Sequence, residues 1–373
     1  MLFPHFPSYS SFPFFAISIG AGSASSKVKP FDYAGSFQAS DLHNNCLARI
    51  AEVTGKMSDD GKVSFPDRHA TPGGTQMRET LKRAFKIYWR SPSYNTVRLL
   101  TSTVIALVFG SIYVADMTLS NEADMNSRAT SVFVAELFLG VNSFITVLSL
   151  FETERNMFYR HKAALMYTNR SILAAFTFAE IPFLLLASMI FVIIFYFMIG
   201  FTADVTKFFL FYLFFTLNMA VWTFLGQMFV ALTRNALGAQ GLGSLLLSLT
   251  SLFTGVLIRP SNIPNFWIFM YWLMPGHYVF EGLLTSQFQN DDTPITASPN
   301  SPFWVFLGCT ADQMTATGED RCVGTAENWV FATYGGDFEA ENIPVNIAYL
   351  CGLLLVTRLI TGFALAKLNF RST

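Results

Sequence analysis

Three ionisable side chains fall inside long apolar stretches of the chain, where an unpaired charge is costly. They are Glu136, Glu180 and Arg358. Counted along helices at about 1.5 Å per residue, Glu180 and Arg358 reach similar depths of roughly 18 and 16 Å, so the two side chains can meet. Such a pair either locks two helices together or takes part in moving a solute, and the sequence leaves both roles open.

The cysteines and histidines do not follow the spacing of a metal site. Cys309 and Cys322 lie in the acidic segment of residues 289–341, which is expected outside the cell. Oxidising conditions there favour a disulfide between them, and two free thiols are the alternative. His161 and His277 stand close to the ends of apolar stretches, which favours a solvated or anchoring role. The sequence contains no phosphate-loop, zinc-protease or nucleophile-elbow motif. We therefore expect the chain to have no catalytic activity of its own and to bind no cofactor.

Six apolar stretches must position these residues. With 52% hydrophobic residues, 40 Phe, 13% charged residues and a mean hydropathy of +0.41, the chain predicts an all-α membrane protein. A net charge of -1 argues against nucleic acid as a partner. The expected spans cover residues 99–114, 129–150, 172–199, 208–232, 236–258 and 347–368.

The charges between the spans predict the orientation in the membrane. Basic residues precede span one and fill the connectors after spans two and four, whereas the connector after span one carries Asp116, Glu122 and Asp124. Residues 289–341 hold nine acidic side chains against Arg321 alone. Connectors rich in Lys and Arg face the cytoplasm in membrane proteins. This rule places both termini inside the cell and residues 289–342 outside it.

The chain divides into two parts on composition. Residues 1–75 are interpreted as a polar N-terminal linker, and a cleaved signal peptide at its start is disfavoured by three prolines and the lack of a basic region. Residues 76–373 form the membrane domain. Before span one, Met77, Leu81, Phe85 and Tyr88 recur at helical spacing beneath a basic face, which predicts an amphipathic helix lying on the membrane surface.

An ordered set of short motifs resembles the second membrane domain of pleiotropic-drug-resistance ABC transporters, the full-length members of the G subfamily. The resemblance extends roughly from Asp32 to Phe370 and is carried by residues 86–95, 138–142, 154–160, 180–182, 253–255, 271–272, 286–288 and 358–360. It implies an ABC-2 type transmembrane domain whose ATP and Mg²⁺ are bound by partner nucleotide-binding domains. Residues 1–75 then look like the tail after such a domain, and the chain looks like a fragment or a subunit that needs partners.

The resemblance also implies which residues form the substrate path. Phe138, Asn142 and Ile145 share one face of span two, and Ser244, Ser248 and Ser251 share one face of span five; both faces are expected to meet a second membrane domain. Val256 and Leu257 are expected to form an outer gate. For the serine stripe, close packing between helices through small residues is an equal alternative.

Glu154 and Arg155 are expected to couple the membrane domain to the ATPase. They follow span two in a basic connector, where a short helix with its charges facing the cytosol could transmit movement. The alternative is that these charges only enforce the topology. His161 departs from the acidic residue usual in the family, so the salt bridges expected near it do not carry over directly.

Two classes of function follow. The favoured one is the membrane-spanning half of an ATP-driven exporter of hydrophobic compounds or lipids, in the plasma membrane. The other is an independent ion-coupled carrier or channel that uses Glu136, Glu180 and Arg358 as a charge relay. Apolar linings accept many molecules, so the sequence does not name a substrate.

Overall fold

The computed structural model of the chain describes residues 33–55, 69, 71–113, 119–310, 322–335 and 338–370. The segment considered as a signal peptide and the connector charges Asp116 and Arg321 lie outside the described residues. The chain divides into a unit of residues 1–67 and a unit of residues 68–373.

The first unit is described over two helices, α1 (Tyr33–Gln38) and α2 (Asp41–Gly55). Helix α2 starts where the Ser40 hydroxyl accepts a hydrogen bond from the backbone N–H of His43, an N-terminal cap that Ser provides well. No residue of α2 is buried. This part of the predicted polar linker is therefore helical and has no core of its own.

The second unit contains the predicted membrane helices, and the prediction of an all-α domain with six spans is confirmed. It begins with α3 (Gly73–Trp89), the predicted amphipathic helix. The six helices long and apolar enough to cross a membrane are α4 (Pro92–Tyr113), α5 (Glu122–Ala163), α6 (Asn169–Ile199), α7 (Val205–Leu232), α8 (Ala236–Phe253) and, later in the chain, α13 (Ile343–Lys367).

Shorter elements lie between α8 and α13. They are α9 (Ile268–Leu273), α10 (Pro275–Phe288), β1 (Pro294–Thr296), α11 (Pro302–Phe306), β2 (Val323–Thr325) and α12 (Ala326–Tyr334). The two strands pair antiparallel, with Ile295 opposite Gly324. Helix α10 is buried along almost its whole length, yet its 14 residues are too few to cross a bilayer.

Several predicted helix ends were wrong. Helix α5 continues to Ala163 instead of ending near residue 150, since the mixed charged and aromatic residues 152–162 are compatible with a helix. Its 42 residues span about 63 Å, twice a hydrocarbon core of about 30 Å. Helix α8 ends at Phe253 because Gly255 turns the backbone to a φ of +101°. Helix α13 begins earlier than predicted, with Pro344 in its first turn.

Helices α5 and α7 form the centre of the bundle. In their most apolar stretches 61% and 67% of residues are buried, against 22%, 28% and 17% for α4, α8 and α13. The three outer helices therefore leave most of their surface open to lipid or to a partner. We call the two ends of the bundle by their charge: the basic end, where α5 and α13 finish near Lys162 and Lys367, and the acidic end, where α5 begins at Glu122.

Candidate functional site

A buried ion pair joins three helices in the middle of the bundle. Arg98 of α4 donates to Glu180 of α6 with 2.5 Å between Nη1 and Oε1, and the two residues are 1% and 0% exposed. The hydroxyl of Tyr94 donates to the same carboxylate oxygen. The other guanidinium nitrogen of Arg98 donates to the Thr223 hydroxyl of α7 at 2.6 Å. These charge-assisted hydrogen bonds compensate part of the cost of removing both charges from water.

Arg358 reaches this network through an intermediate side chain. Its Nη1 donates to Oε1 of Gln227 at 2.7 Å, and Nε2 of Gln227 lies 3.5 Å from Oε2 of Glu180. The guanidinium also lies 3.6 Å from the centre of the Phe224 ring, which is a favourable cation–π distance. The expected meeting of Glu180 and Arg358 is thus indirect, because Arg98 holds the position beside the carboxylate.

Glu136 occupies a different place in the bundle. It is 5% exposed, and its Oε2 has no hydrogen-bond partner among the described residues. A Cβ placed on Gly276 would lie 3.4 Å from its Oε1, so the carboxyl faces the first turn of α10, a helix start without a side-chain cap. The structure therefore puts Glu136 beside α10, whereas Glu180 and Arg358 share the network around Arg98.

The three path residues on α5 lie on an open face. Phe138 and Ile145 are 48% and 47% exposed, and Asn142 between them is half-buried. The Asn142 amide accepts a hydrogen bond from Thr101 at 2.9 Å and donates one to Ser102 at 3.3 Å, both on α4. One edge of the face is therefore fixed against α4, while its apolar side chains remain open.

The serine stripe on α8 is open as well. Ser244 and Ser248 are exposed and Ser251 is half-buried, and each hydroxyl donates to a backbone carbonyl of its own helix. Close packing of α8 inside the chain uses a different face, where a Cβ on Gly243 would overlap the Phe144 ring of α5. Within the described residues, α8 therefore approaches α5 closely at Gly243, while Ser244 and Ser248 stay exposed.

The two expected gate residues lie beyond the end of α8. They follow Gly255 in an irregular segment, where Leu257 is 61% exposed and Val256 is half-buried. They were expected inside a continuous fifth span. The turn at Gly255 instead leaves them in a non-helical segment at the acidic end of α8.

Glu154 and Arg155 belong to the last turns of α5 and not to a separate short helix. The expectation that their charges face the cytosol was wrong, because the two residues are only 6% and 2% exposed. Glu154 accepts from Arg83 of α3, with 2.9 Å between Oε2 and Nη2. Arg83 also reaches Nδ1 of His161 at 3.0 Å and the Tyr167 hydroxyl at 3.2 Å. Burial raises the pKa of the Tyr167 hydroxyl, which remains a neutral partner of Arg83.

Two further cations of α5 bind the ends of other helices. Arg155 donates to the carbonyls of Val230, Thr233 and Arg234, where α7 ends. Lys162 donates to the carbonyls of Leu365 and Ala366 at 2.9 and 2.7 Å, where α13 ends. The last carbonyls of a helix lack partners within it and carry its negative dipole end, so both contacts are favourable. The end of α5 therefore holds α3, α7 and α13 together.

A disulfide joins Cys309 and Cys322 at the acidic end, with 6.0 Å between their Cα atoms. The backbone carbonyl of Cys322 accepts from Ala297, which follows β1, so the bridge is anchored to the small sheet. Cys46 and Cys351 are free thiols. Among the side chains that the structure describes, no group of three His, Cys, Asp or Glu residues comes close enough to hold a metal ion.

The six long apolar helices, with α3 before them and short elements between α8 and α13, define a multi-span membrane domain. A family model described as "ABC-2 type transporter" matches residues 75–288. Since this match covers more than half of the chain, the chain belongs to the ABC-2 type transporter family and is a multi-pass membrane protein.

Its relatives are members of the G family of ABC transporters. The chain is 28% identical to ABC transporter G family member 41 of Arabidopsis thaliana over 344 residues, which are 91% of this chain and 23% of that protein. It is 32% identical to G family member 36 of Oryza sativa subsp. japonica over 278 residues, 74% of this chain and 19% of that protein. The chain thus spans less than a quarter of the length of these relatives.

Proposed function

We propose that this chain is the membrane-spanning half of an ATP-driven exporter of hydrophobic compounds or lipids. The observation that carries the proposal is the open surface on α5 and α8, which presents Phe138, Ile145, Ser244 and Ser248. Lipid-facing helices need no serine or asparagine at mid-membrane depth, whereas a path shared with a second membrane domain uses mixed polar and apolar side chains. Val256 and Leu257 then narrow the path at its outer end.

In this proposal the basic end faces the cytosol and both termini lie there. ATP and Mg²⁺ are bound by nucleotide-binding domains supplied by a partner or by a longer polypeptide, in the arrangement of the second membrane domain of pleiotropic-drug-resistance transporters. The relatives' names and the basic residues at one end of the bundle support this arrangement. The plasma membrane is the expected location.

The end of α5 is proposed to couple the two parts. Glu154 and Arg155 act indirectly: Glu154 fixes α3 through Arg83, and Arg155 fixes the end of α7. A force applied by an ATPase to α3 therefore reaches α5 and α7 together. The buried charges Glu180 and Arg358 already have hydrogen-bond partners in other helices, which supports a structural role for them over a charge relay.

Two substitutions on the open surface test the path. In a transporter reconstituted from the full chain and its partner domains, Asn142→Ala and Ser248→Leu should each change the set of compounds exported, because one removes an amide from the proposed path and the other adds bulk to it. Growth of expressing cells on a panel of toxic hydrophobic compounds measures this spectrum. Leu186→Ala, an exposed position on α6, is the matched control and should leave the spectrum unchanged.

The outcome that contradicts the assignment is an unchanged spectrum for both path variants at the control's surface level. Equal loss in all three variants would indicate a general folding defect, and the melting temperature of each purified protein separates that case from a change in the path.

A further inference from the structure

A cavity of about 380 Å³ opens at the acidic end, away from the surface on α5 and α8. It lies between the end of α10, helices α11 and α12, and the segment before α13. Its volume falls in the range of pockets that take small organic molecules. The side chains that decide its chemistry are four phenylalanines and two carboxylates: Phe288, Phe306, Phe331, Phe338, Glu327 and Glu339.

The phenylalanines give the cavity an aromatic floor and an aromatic rim. Phe288 and Phe338 are buried, at 2% and 5% exposure, and close its base. Phe306 and Phe331 are 47% and 37% exposed, with 5.6 Å between their ring centres. Exposed aromatic rings beside a cavity offer negative ring faces to a ligand.

The electrostatics of the cavity favour positive charge. Glu327 and Glu339 stand at its mouth and are exposed, so both carboxylates reach solvent and an entering ligand. Among the described residues that line the cavity, none is Lys or Arg.

We infer that this cavity binds a lipophilic organic cation. An aromatic floor removes the apolar part of such a ligand from water, ring faces attract its positive charge, and the two carboxylates hold the cation at the mouth. A neutral molecule of the same shape gains only the first of these contributions. The inference concerns a binding equilibrium of this chain alone and does not depend on the proposed export.

The test compares two probes of one shape, phenyltrimethylammonium and its uncharged analogue tert-butylbenzene. Each is titrated by calorimetry into the full chain in nanodiscs of zwitterionic lipid, with empty nanodiscs subtracted. The cation should bind at least about tenfold more tightly than the neutral probe at low salt, and the difference should shrink as salt screens the exposed carboxylates.

Variants locate the binding. The double substitution Glu327→Gln with Glu339→Gln should weaken cation binding at least about tenfold, and Phe331→Leu should weaken it with little effect on the neutral probe. Glu341→Gln, an exposed carboxylate that does not line the cavity, is the matched control and should bind like the unaltered chain. Melting temperatures report whether each variant is folded.

Three results would overturn the inference. The first is equal binding of both probes, which would make the cavity merely apolar. The second is unchanged cation binding in the double glutamine variant, or an equal loss in Glu341→Gln. The third is binding of Ca²⁺ with no binding of the organic cation, which would assign the carboxylates to a metal.

Discussion

At the residue scale, the Arg98–Glu180 pair is the most consequential contact of the bundle. Both groups are almost fully inaccessible, and the carboxylate also binds the Tyr94 hydroxyl. Removing one partner of a buried pair leaves an uncompensated charge, whereas removing both often restores much of the stability. The pair therefore fixes how α4, α6 and α7 fit together.

We expect Arg98→Met to destabilise the chain by about 3–5 kcal/mol, because Glu180 is left buried without a cation. The double variant Arg98→Met with Glu180→Gln should recover a large part of that loss. Thermal unfolding of the purified chain in one detergent measures both. Equal destabilisation of the single and double variants would contradict this account.

The sequence predicted Glu180 and Arg358 as buried charges but missed Arg98. Arg98 directly precedes the predicted start of span one at residue 99, so the sequence groups it with the basic residues that set the topology. In the structure α4 begins at Pro92, so Arg98 lies more than one turn inside the helix. The available signal was the polar stripe of Tyr94, Arg98, Thr101 and Ser102, whose spacing places these side chains on one helix face.

At the element scale, the end of α5 behaves as a clamp on three other helices. Glu154 of α5 binds Arg83 of α3. Arg155 of α5 binds the end of α7, and Lys162 of α5 binds the end of α13. The first contact is an ion pair, and the other two pair a cation with the last carbonyls of a helix, so a displacement of α5 draws its neighbours with it.

Reversing the charge of Glu154 should break the contact with α3. Glu154→Lys places two cations together, so substrate transport should fall several-fold while insertion and ATP binding by the partner domains persist. The double variant Arg83→Glu with Glu154→Lys should restore transport, because the two positions again carry opposite charges, exchanged between the helices. The ratio of substrate moved to ATP hydrolysed is the measurement.

Lys82→Glu is the control for that swap, because Lys82 is an exposed neighbour that pairs only with Glu79 at 2.8 Å among the salt bridges described. Normal coupled transport by Glu154→Lys at the usual surface level would show that the contact has no coupling role.

The Cys309–Cys322 disulfide should stabilise the folded chain at the acidic end. Closing a loop of this length restricts the unfolded chain and contributes about 3 kcal/mol. Mass spectrometry of non-reduced peptides should find Cys309 linked to Cys322, with Cys46 and Cys351 modified by a thiol reagent as internal controls. Two free thiols at positions 309 and 322 in protein taken from the cell surface would remove this feature from the account.

Helix existence could be predicted, but helix ends could not in every case. Hydropathy identifies six spans because each needs about 20 apolar residues to cross the hydrocarbon core. It does not detect that charged residues 152–162 continue α5, because a helix end depends on capping and tertiary contacts as well as on polarity. The same limit hid α10, whose Glu281 and short length are unlike a span although the helix is buried.

At the scale of the whole molecule, burial is divided unevenly among the helices. Helices α5 and α7 form the centre, while α4, α8 and α13 keep large exposed surfaces. A domain of this shape fits an assembly in which some of these surfaces meet lipid and others meet a partner. The face on α5 and α8 is the best candidate for the partner, because Asn142 and the three serines interrupt its apolar surface.

The energy source of transport tests the central claim most directly. The full chain is reconstituted in vesicles alone or with a polypeptide that supplies the nucleotide-binding domains and the other membrane domain, and accumulation of a fluorescent hydrophobic probe is followed. The account predicts accumulation only when the partner and ATP with Mg²⁺ are both present. Accumulation driven by an ion gradient in vesicles that hold this chain alone would contradict it and would support an independent carrier.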